Sequence, residues 1–227
     1  MTFDIITIFP KIFDSYFKES IIKRASEKKL IKVNVHNLRD FTSDKHRKVD
    51  DKPYGGGPGM VFKIEPLARA LNFILKNGKK GKTAVVLFSP AGKQFNGKIA
   101  GKFAGNYNRL ILICGRYEGI DERVKKVVSD FGFKIMELSI GPYVLTGGEL
   151  PAMVLVDAVS RQIKGVLGKE ESLEEKRNGV GAPVYTRPEV FEHKGKKYRV
   201  PKVLLSGAHK KIEEWRRELT RTHKTTY

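Results

Sequence analysis

The sequence predicts an α/β protein whose sheet is mostly parallel and carries helices on both faces. Two observations predict this class. Short β-branched runs alternate with helical patterns, which is typical of strand–helix–strand units and parallel sheets. The runs Val85–Phe88 and Leu110–Ile113 are apolar without alternation, as expected of strands that helices cover on both sides. With 227 residues, the chain has room for one or two domains and a sizeable core.

The individual elements follow in chain order. Each predicted strand is a short β-branched or apolar run. The first of them ends before Pro10. The five predicted strands are Phe3–Phe9, Lys32–Asn37, Thr83–Phe88, Arg109–Cys114 and Phe133–Leu138. The predicted helices occupy the intervals between these strands and the segments after them: Ile12–Lys29, Glu65–Asn77, Gly97–Tyr107, Asp121–Asp130, Glu149–Lys164 and His209–Thr222.

The sequence pattern changes near residue 164 and divides the chain into three predicted parts. Residues 1–164 carry the α/β pattern. Residues 165–184 are rich in Gly, Glu and Lys without clear periodicity, which indicates a flexible interdomain linker. Residues 185–227 are expected to form a small, basic, mainly helical C-terminal domain. Residues 160–227 contain 17 Lys and Arg against 9 Asp and Glu.

The charge of the chain points to an anionic partner. There are 44 Lys and Arg and 25 Asp and Glu, a net charge of +19. An excess of this size is typical of proteins that bind nucleic acid. The alternative is a basic protein whose lysines only keep it soluble.

Several classes of protein are excluded or disfavoured. The one cysteine, Cys114, excludes an internal disulfide framework and a cysteine-rich zinc site. The five histidines show no metal-binding spacing, so no metal ligands are predicted. No apolar run approaches the roughly 18 residues of a membrane span. The first ten residues read as a strand and not as a signal peptide. We therefore expect a cytoplasmic protein without a membrane partner.

Two glycine-rich loops do not fit familiar nucleotide-binding motifs. The segment Gly92–Ile99 matches a phosphate-binding loop except that Ile99 stands where magnesium needs Ser or Thr, so an NTPase is disfavoured. The segment Tyr54–Met60 lacks the spacing and the strand–turn–helix context of a Rossmann site. It is either a flexible loop that approaches an RNA backbone or an ordinary surface loop.

Two further glycine-rich loops favour a shared ligand pocket. The segments Cys114–Arg123 and Ser139–Pro151 each follow a predicted strand, where ligands bind in α/β sheets. Glycine lets backbone atoms approach a flat ligand such as adenine. Tyr117 and Tyr143 offer aromatic faces, and Glu118 offers a carboxylate for an ammonium or sulfonium group. Taken singly, each loop could instead be a tight structural turn.

These segments resemble one protein family. The strings Val49–Asp51, Gly55–Met60, Cys114–Arg123, Tyr143–Met153 and Tyr185–Pro188 are similar to those of the TrmD family, the bacterial tRNA (guanine-N1)-methyltransferases of the SPOUT class. The similarity runs in order from about Ile6 to Arg217.

The resemblance implies a fold and a reaction that composition does not. It implies a SPOUT-type trefoil knot, an obligate homodimer with the active site at the subunit interface, and S-adenosylmethionine as methyl donor. The implied substrate is the guanosine immediately 3′ of the tRNA anticodon. Residues 1–164 would bind the donor, and residues 185–227 would bind tRNA. The resemblance is also compatible with Mg²⁺ as a further cofactor.

The resemblance also assigns the donor site. Pro142 departs from the family's usual Asp, which is tolerable if that position acts through its carbonyl, because proline lacks the N–H donor. The residues at the family's donor-binding positions are Phe88, Ser89, Pro90, Gly115, Tyr117, Glu118, Ile140, Gly141, Pro142, Tyr143, Val144, Leu145, Gly147 and Gly148.

Two catalytic residues are expected. Arg161 matches the family's active-site arginine, and a guanidinium would stabilise the charge that develops on guanine O6. The alternative for Arg161 is a helix salt bridge to Asp157 at i, i+4. The family's usual base is an Asp that is deleted from this linker. Glu175, or else Glu174, is the nearest carboxylate and is expected to act across the dimer interface.

The deleted Asp leaves two alternatives open. Both glutamates could be solvated linker acids, in which case the base lies elsewhere or the enzyme is impaired. The chain would then be a non-catalytic or impaired SPOUT-fold RNA-binding protein.

Overall fold

A computed structural model describes residues 1–76, 82–168, 173 and 183–222. The chain divides into two compact units, Met1–Leu167 and Gly168–Tyr227. Each unit is described by itself.

The first unit is built on a five-stranded sheet. Every neighbouring pair of its strands is parallel, which confirms the predicted α/β class. Two further strands, β3 (Asp50–Asp51) and β4 (Val61–Phe62), form a short antiparallel pair. The main sheet consists of β1 (Thr2–Thr7), β2 (Lys32–Asn37), β5 (Thr83–Gln94), β6 (Arg109–Ile113) and β7 (Ile135–Ser139). Their spatial order across the sheet is β2-β1-β6-β5-β7.

Helices pack on both faces of this sheet, because alternate side chains of each strand point to opposite sides. In β6, Leu110 and Leu112 join one core cluster, whereas Ile111 and Ile113 join the other. The helices of this unit are α1 (Asp14–Phe17), α2 (Ser20–Glu27), α3 (Ile64–Leu75), α4 (Gly97–Asn106), α5 (Val124–Asp130) and α6 (Glu149–Arg161). The first cluster also contains residues of α2, α4 and α6, and the second contains residues of α3 and α5.

Several predicted bounds differ from the structure; the helix predicted to end at Lys164, for example, ends at Arg161. Three further elements also differ. The single helix predicted over residues 12–29 is wrong, because Glu19 is extended and Ser20 has a φ of 49°, which separates α1 from α2. The helix predicted from Asp121 begins at Val124 because the Asp121 carboxylate accepts the Arg123 backbone N–H in a turn, at 2.9 Å. The strand predicted to end at Phe88 continues to Gln94 after a break in its pairing with β7 between Phe88 and Lys93.

The second unit combines a hairpin with two helices. The helix predicted at its end is confirmed as α8 (His209–Thr222), and α7 (Lys202–Leu205) precedes it. The strands β8 (Val190–His193) and β9 (Lys196–Arg199) pair antiparallel, an element that the helical prediction did not include. The two residues between them, Lys194 and Gly195, both have positive φ. This conformation is the type I′ turn that suits the twist of a hairpin.

A buried carboxylate joins three strands of the main sheet. Asp4 of β1 is 1% exposed. Its side chain accepts hydrogen bonds from Asn34 of β2 at 3.0 Å and from Arg109 of β6 at 2.7 Å, and His36 Nε2 lies 2.8 Å away. Burial raises the pKa of this carboxyl, but the contacts with His36, Arg109 and Asn34 outweigh burial and lower the pKa to about 2. Asp4 therefore stabilises the fold in its ionised form.

We predict that Asp4→Asn lowers the free energy of unfolding by about 2 kcal/mol at pH 7, the equivalent of the depressed pKa. A carboxyl with a depressed folded-state pKa contributes stability above its unfolded pKa, and that contribution is lost as the pH falls through the folded value. The difference between the two proteins should therefore shrink between about pH 4 and pH 2. Urea unfolding across this range measures it. Asp130→Asn, at an exposed helix end, is the control, and a difference that stays constant down to pH 2 would contradict the assignment.

Candidate active site

A cavity of about 380 Å³ opens at the carboxyl ends of β5, β6 and β7. Its volume lies in the range of about 300–1,000 Å³ that is typical of small-molecule sites. Its lining residues come from three chain segments: residues 87–90, where the pairing of β5 with β7 breaks, residues 115–122 after β6, and residues 137–151 around the end of β7 and the start of α6. This is the edge at which parallel α/β sheets bind ligands.

The structure brings most of the predicted donor-binding residues together. Gly141 and Pro142 belong to the loop after β7 without lining the cavity. The predicted residues that line it are Phe88, Ser89, Pro90, Gly115, Tyr117, Glu118, Ile140, Tyr143, Val144, Leu145, Gly147 and Gly148.

The loop after β7 is closed by its own hydrogen bonds. Ser139 Oγ donates to the Gly141 carbonyl at 2.8 Å, and the Tyr143 hydroxyl donates to the Ile140 carbonyl at 3.3 Å. A Cβ atom at Gly141 would overlap the Tyr143 ring. Glycine is therefore required at position 141 so that Tyr143 can fold back and form part of the cavity wall.

The loop after β6 is held by the glycine-rich segment Tyr54–Met60, a contact that the sequence did not reveal. The Glu118 N–H donates to the Met60 carbonyl at 3.0 Å, and the Phe62 N–H donates to the Gly119 carbonyl at 3.0 Å. A Cβ atom at Gly59 would lie 2.5 Å from Glu118 Oε1. The segment Tyr54–Met60 is thus not an isolated surface loop, because it ends against the cavity residue Glu118.

An ion pair between a buried glutamate and the cavity-lining Arg116 was also missed. Glu149, the first residue of α6, is 2% exposed. Its Oε1 accepts a hydrogen bond from Thr7 Oγ1 at 2.8 Å, and its Oε2 accepts one from Arg116 Nε at 2.9 Å. The Arg116 guanidinium also lies 4.7 Å from the centre of the Phe9 ring. Both charged residues belong to the motif strings of the sequence, but only the fold shows that they meet.

Cys114 is packed against this network. The thiol is buried, and burial, followed by the nearby Glu149 carboxylate, raises its pKa well above the usual value. Nucleophilic attack requires the thiolate, so this cysteine is a packing residue.

Comparison with known proteins decides the family. A sequence profile described as tRNA (Guanine-1)-methyltransferase TrmD matches residues 1–227. The chain belongs to the TrmD family.

Individual relatives agree with this assignment and with the enzyme class predicted from the sequence. A protein of Dictyoglomus turgidum named tRNA (guanine-N(1)-)-methyltransferase is 52% identical over 95% of this chain and 83% of its own length. Proteins of the same name from Clostridioides difficile and Thermosipho africanus are each 49% identical. They align with 96% and 97% of this chain and with 91% and 85% of their own lengths.

Arg161, the catalytic residue expected from the TrmD family, is not among the cavity residues. Arg161 is the last residue of α6 and lies twelve residues after Glu149. Twelve residues of α-helix span about 18 Å along the helix axis. Its neighbour Asp157 accepts a hydrogen bond from the Tyr16 hydroxyl at 2.5 Å, and this bond, with some burial, raises the pKa of Tyr16 to about 12. Glu175 and Glu174 lie outside the described residues.

Two general features complete the description. Among the described residues, no three His, Cys, Asp or Glu side chains cluster as metal ligands would. No helix in the described part of the chain is both long enough and apolar enough to span a bilayer.

We predict that Gly148→Ala lowers the free energy of unfolding by about 1–3 kcal/mol, the usual effect of overpacking. A Cβ atom at this position would lie 2.7 Å from Cys114 Cα, which is backbone and cannot turn aside. Gly101→Ala in α4 is the control. Its Cβ would meet nothing within 4 Å, and alanine is the better helix former. Urea unfolding measures both variants, and equal midpoints would contradict the packing argument.

Proposed function

We propose that this chain transfers a methyl group from S-adenosylmethionine to N1 of the guanosine immediately 3′ of the anticodon in tRNA. The observation that carries the proposal is the single cavity that the TrmD-family motif loops build at the ends of β5, β6 and β7. The net charge of +19 suits a polyanionic substrate.

The cavity suits the proposed methyl donor. Gly115 and Gly119 line it, and a Cβ atom at either position would meet no atom closer than 3.9 Å. A side chain at either glycine would therefore occupy the cavity itself, and its absence lets a flat base approach the backbone. The Glu118 carboxylate is available to a cationic ammonium or sulfonium group. When bound, S-adenosylmethionine supplies an electrophilic methyl group on sulfur.

The reaction requires a base and an electrostatic stabiliser. N1 of guanine carries a proton, which must be removed to expose the lone pair. Glu175 would accept this proton, and Arg161 would stabilise the negative charge that spreads to O6. The N1–methyl bond forms as the methyl–sulfur bond breaks, so no covalent enzyme intermediate is needed.

The position of Arg161 supports a shared active site in a homodimer. Arg161 lies one helix length from the cavity of its own chain, so a two-fold partner could supply the arginine. The exposed side of α6 is apolar enough for such an interface: Leu150 and Val154 are 57% and 45% exposed. Phe9 and Ile12, which precede α1, add further exposed apolar surface.

The other predictions from the sequence belong to the same proposal. The knot would lie at the cavity, within the donor-binding domain of residues 1–164. The linker of residues 165–184 would bring Glu175 to the partner's cavity. The basic domain of residues 185–227 would bind tRNA in the cytoplasm. Mg²⁺ is a candidate additional cofactor, for which the described residues offer no cluster of ligands.

We expect methyl transfer from labelled S-adenosylmethionine into a tRNA transcript with G after the anticodon, and none into the same transcript with A there. Binding of both transcripts without transfer would indicate the non-catalytic alternative.

In the same assay, the double variant Glu174→Gln/Glu175→Gln should slow single-turnover transfer at neutral pH. A full rate would remove both glutamates as candidates for the base.

We expect two inactive variants to restore activity when their subunits are mixed. Gly115→Leu fills the cavity, and Arg161→Ala should lower kcat by about 10²–10³-fold because it removes a transition-state donor. If the arginine acts on the partner's cavity, each mixed dimer has one intact site. Random pairing then restores roughly a quarter of wild-type activity.

The mixing experiment has a clear negative outcome. If Arg161 acts on its own chain's cavity, every site in the mixed dimer carries one defect and activity stays at the level of the parent variants. Each variant mixed with itself is the control.

A further inference from the structure

The β8–β9 hairpin presents aromatic rings on one face. Phe191 pairs directly with Tyr198, and His193 shares that face because it follows Phe191 by two residues. The Phe191 ring centre lies 6.4 Å from that of Tyr198 and 6.1 Å from that of His193, with interplanar angles of 35° and 11°. We call these three residues the hairpin aromatic face.

Packing within the described chain does not bury this face. Phe191 is 55% exposed and Tyr198 is 54% exposed. A ring of this size normally buries most of its surface in a core, and adjacent exposed rings are typical of interaction sites. The rings are therefore available to a partner.

The charge around the rings selects the class of partner. The segment Val190–Arg199 contains one acidic residue, Glu192, and all of its cationic side chains are exposed: Lys194, Lys196, Lys197 and Arg199. Protein interfaces are depleted in lysine. Aromatic rings among cations are instead the arrangement that binds single-stranded nucleic acid, whose bases stack while its phosphates pair with the cations.

The hairpin holds the rings in place before any partner binds. Its turn residues, Lys194 and Gly195, have φ values of 49° and 72°, and the strand pairing extends beyond the strands through a Val200 N–H to Glu189 carbonyl bond of 3.0 Å. A rigid, preorganised surface loses less entropy when it binds than a flexible one.

We propose that the hairpin aromatic face stacks on unpaired bases of the tRNA, with the hairpin's cations on the neighbouring phosphates. Unpaired bases are favoured over helical ones because paired bases already stack on each other and hide their faces. This inference rests on the proposed function in one respect, that tRNA is the substrate.

The test measures tRNA affinity of the full-length protein. Phe191→Ala and Tyr198→Ala should each weaken tRNA binding about ten-fold, because the loss of one base–aromatic stack lowers the affinity by about that factor. The ring-preserving variants Phe191→Tyr and Tyr198→Phe should bind as the wild type does. Circular dichroism checks that each variant is folded, and the ring-preserving variants keep the test valid if an alanine variant unfolds.

Salt dependence separates stacking from charge. The alanine variants should leave the slope of log affinity against log salt unchanged, because they remove no cation. Lys196→Ala, on the aromatic face because Lys196 pairs with His193, should reduce that slope by about 0.7–0.9. A blunt RNA duplex of similar length should bind the wild type and the alanine variants equally.

Several results would overturn the inference. Unchanged tRNA affinity in both alanine variants would do so, as would an equal loss of affinity for the duplex. A change in oligomeric state by light scattering, with tRNA affinity intact, would assign the face to a protein partner. If the wild type transfers the methyl group but tRNA binding does not depend on the rings, only the stacking proposal is rejected. If tRNA binding depends on the rings but the wild type transfers no methyl group, only the proposed reaction is rejected.

Discussion

The ion pair between the buried Glu149 and the partly buried Arg116 is the contact on which the cavity depends. An ionised carboxylate in a protein interior is stable only when its oxygens are paired. Here one oxygen accepts a hydrogen bond from Thr7 and the other from Arg116. These residues follow or begin three different elements, so the pair links the end of β1, the loop after β6 and the start of α6.

The same link explains the close approach of the loops. The Gly148 N–H donates to the Gly115 carbonyl at 2.9 Å, and Arg116 and Gly147 form an isolated antiparallel bridge. At Gly148 a Cβ atom would lie 2.7 Å from Cys114 Cα, so this approach needs a residue without a side chain. Glycines lose more conformational entropy on folding than other residues. Here they allow the loops at the end of the sheet and the start of α6 to form the cavity wall.

The two units of the chain have different chemistry. In the first unit, apolar strands place a small-molecule cavity at one edge of a parallel sheet. In the second unit, residues 183–222 carry eleven Lys and Arg against five Asp and Glu, together with exposed rings. A reaction between a small donor and a large polyanion needs both kinds of surface.

The sequence by itself determined the fold class, the family and most of the cavity residues. The runs of β5 and β6 are apolar without alternation, which predicted the class. The motif strings carried the resemblance to the TrmD family, and that resemblance implied the cavity residues. Only the tertiary structure decided that Glu149 meets Arg116, that the segment Tyr54–Met60 ends against Glu118, and that Arg161 lies a helix length from the cavity. These relations join residues far apart in the chain, and no local propensity or spacing records a contact that folding alone creates.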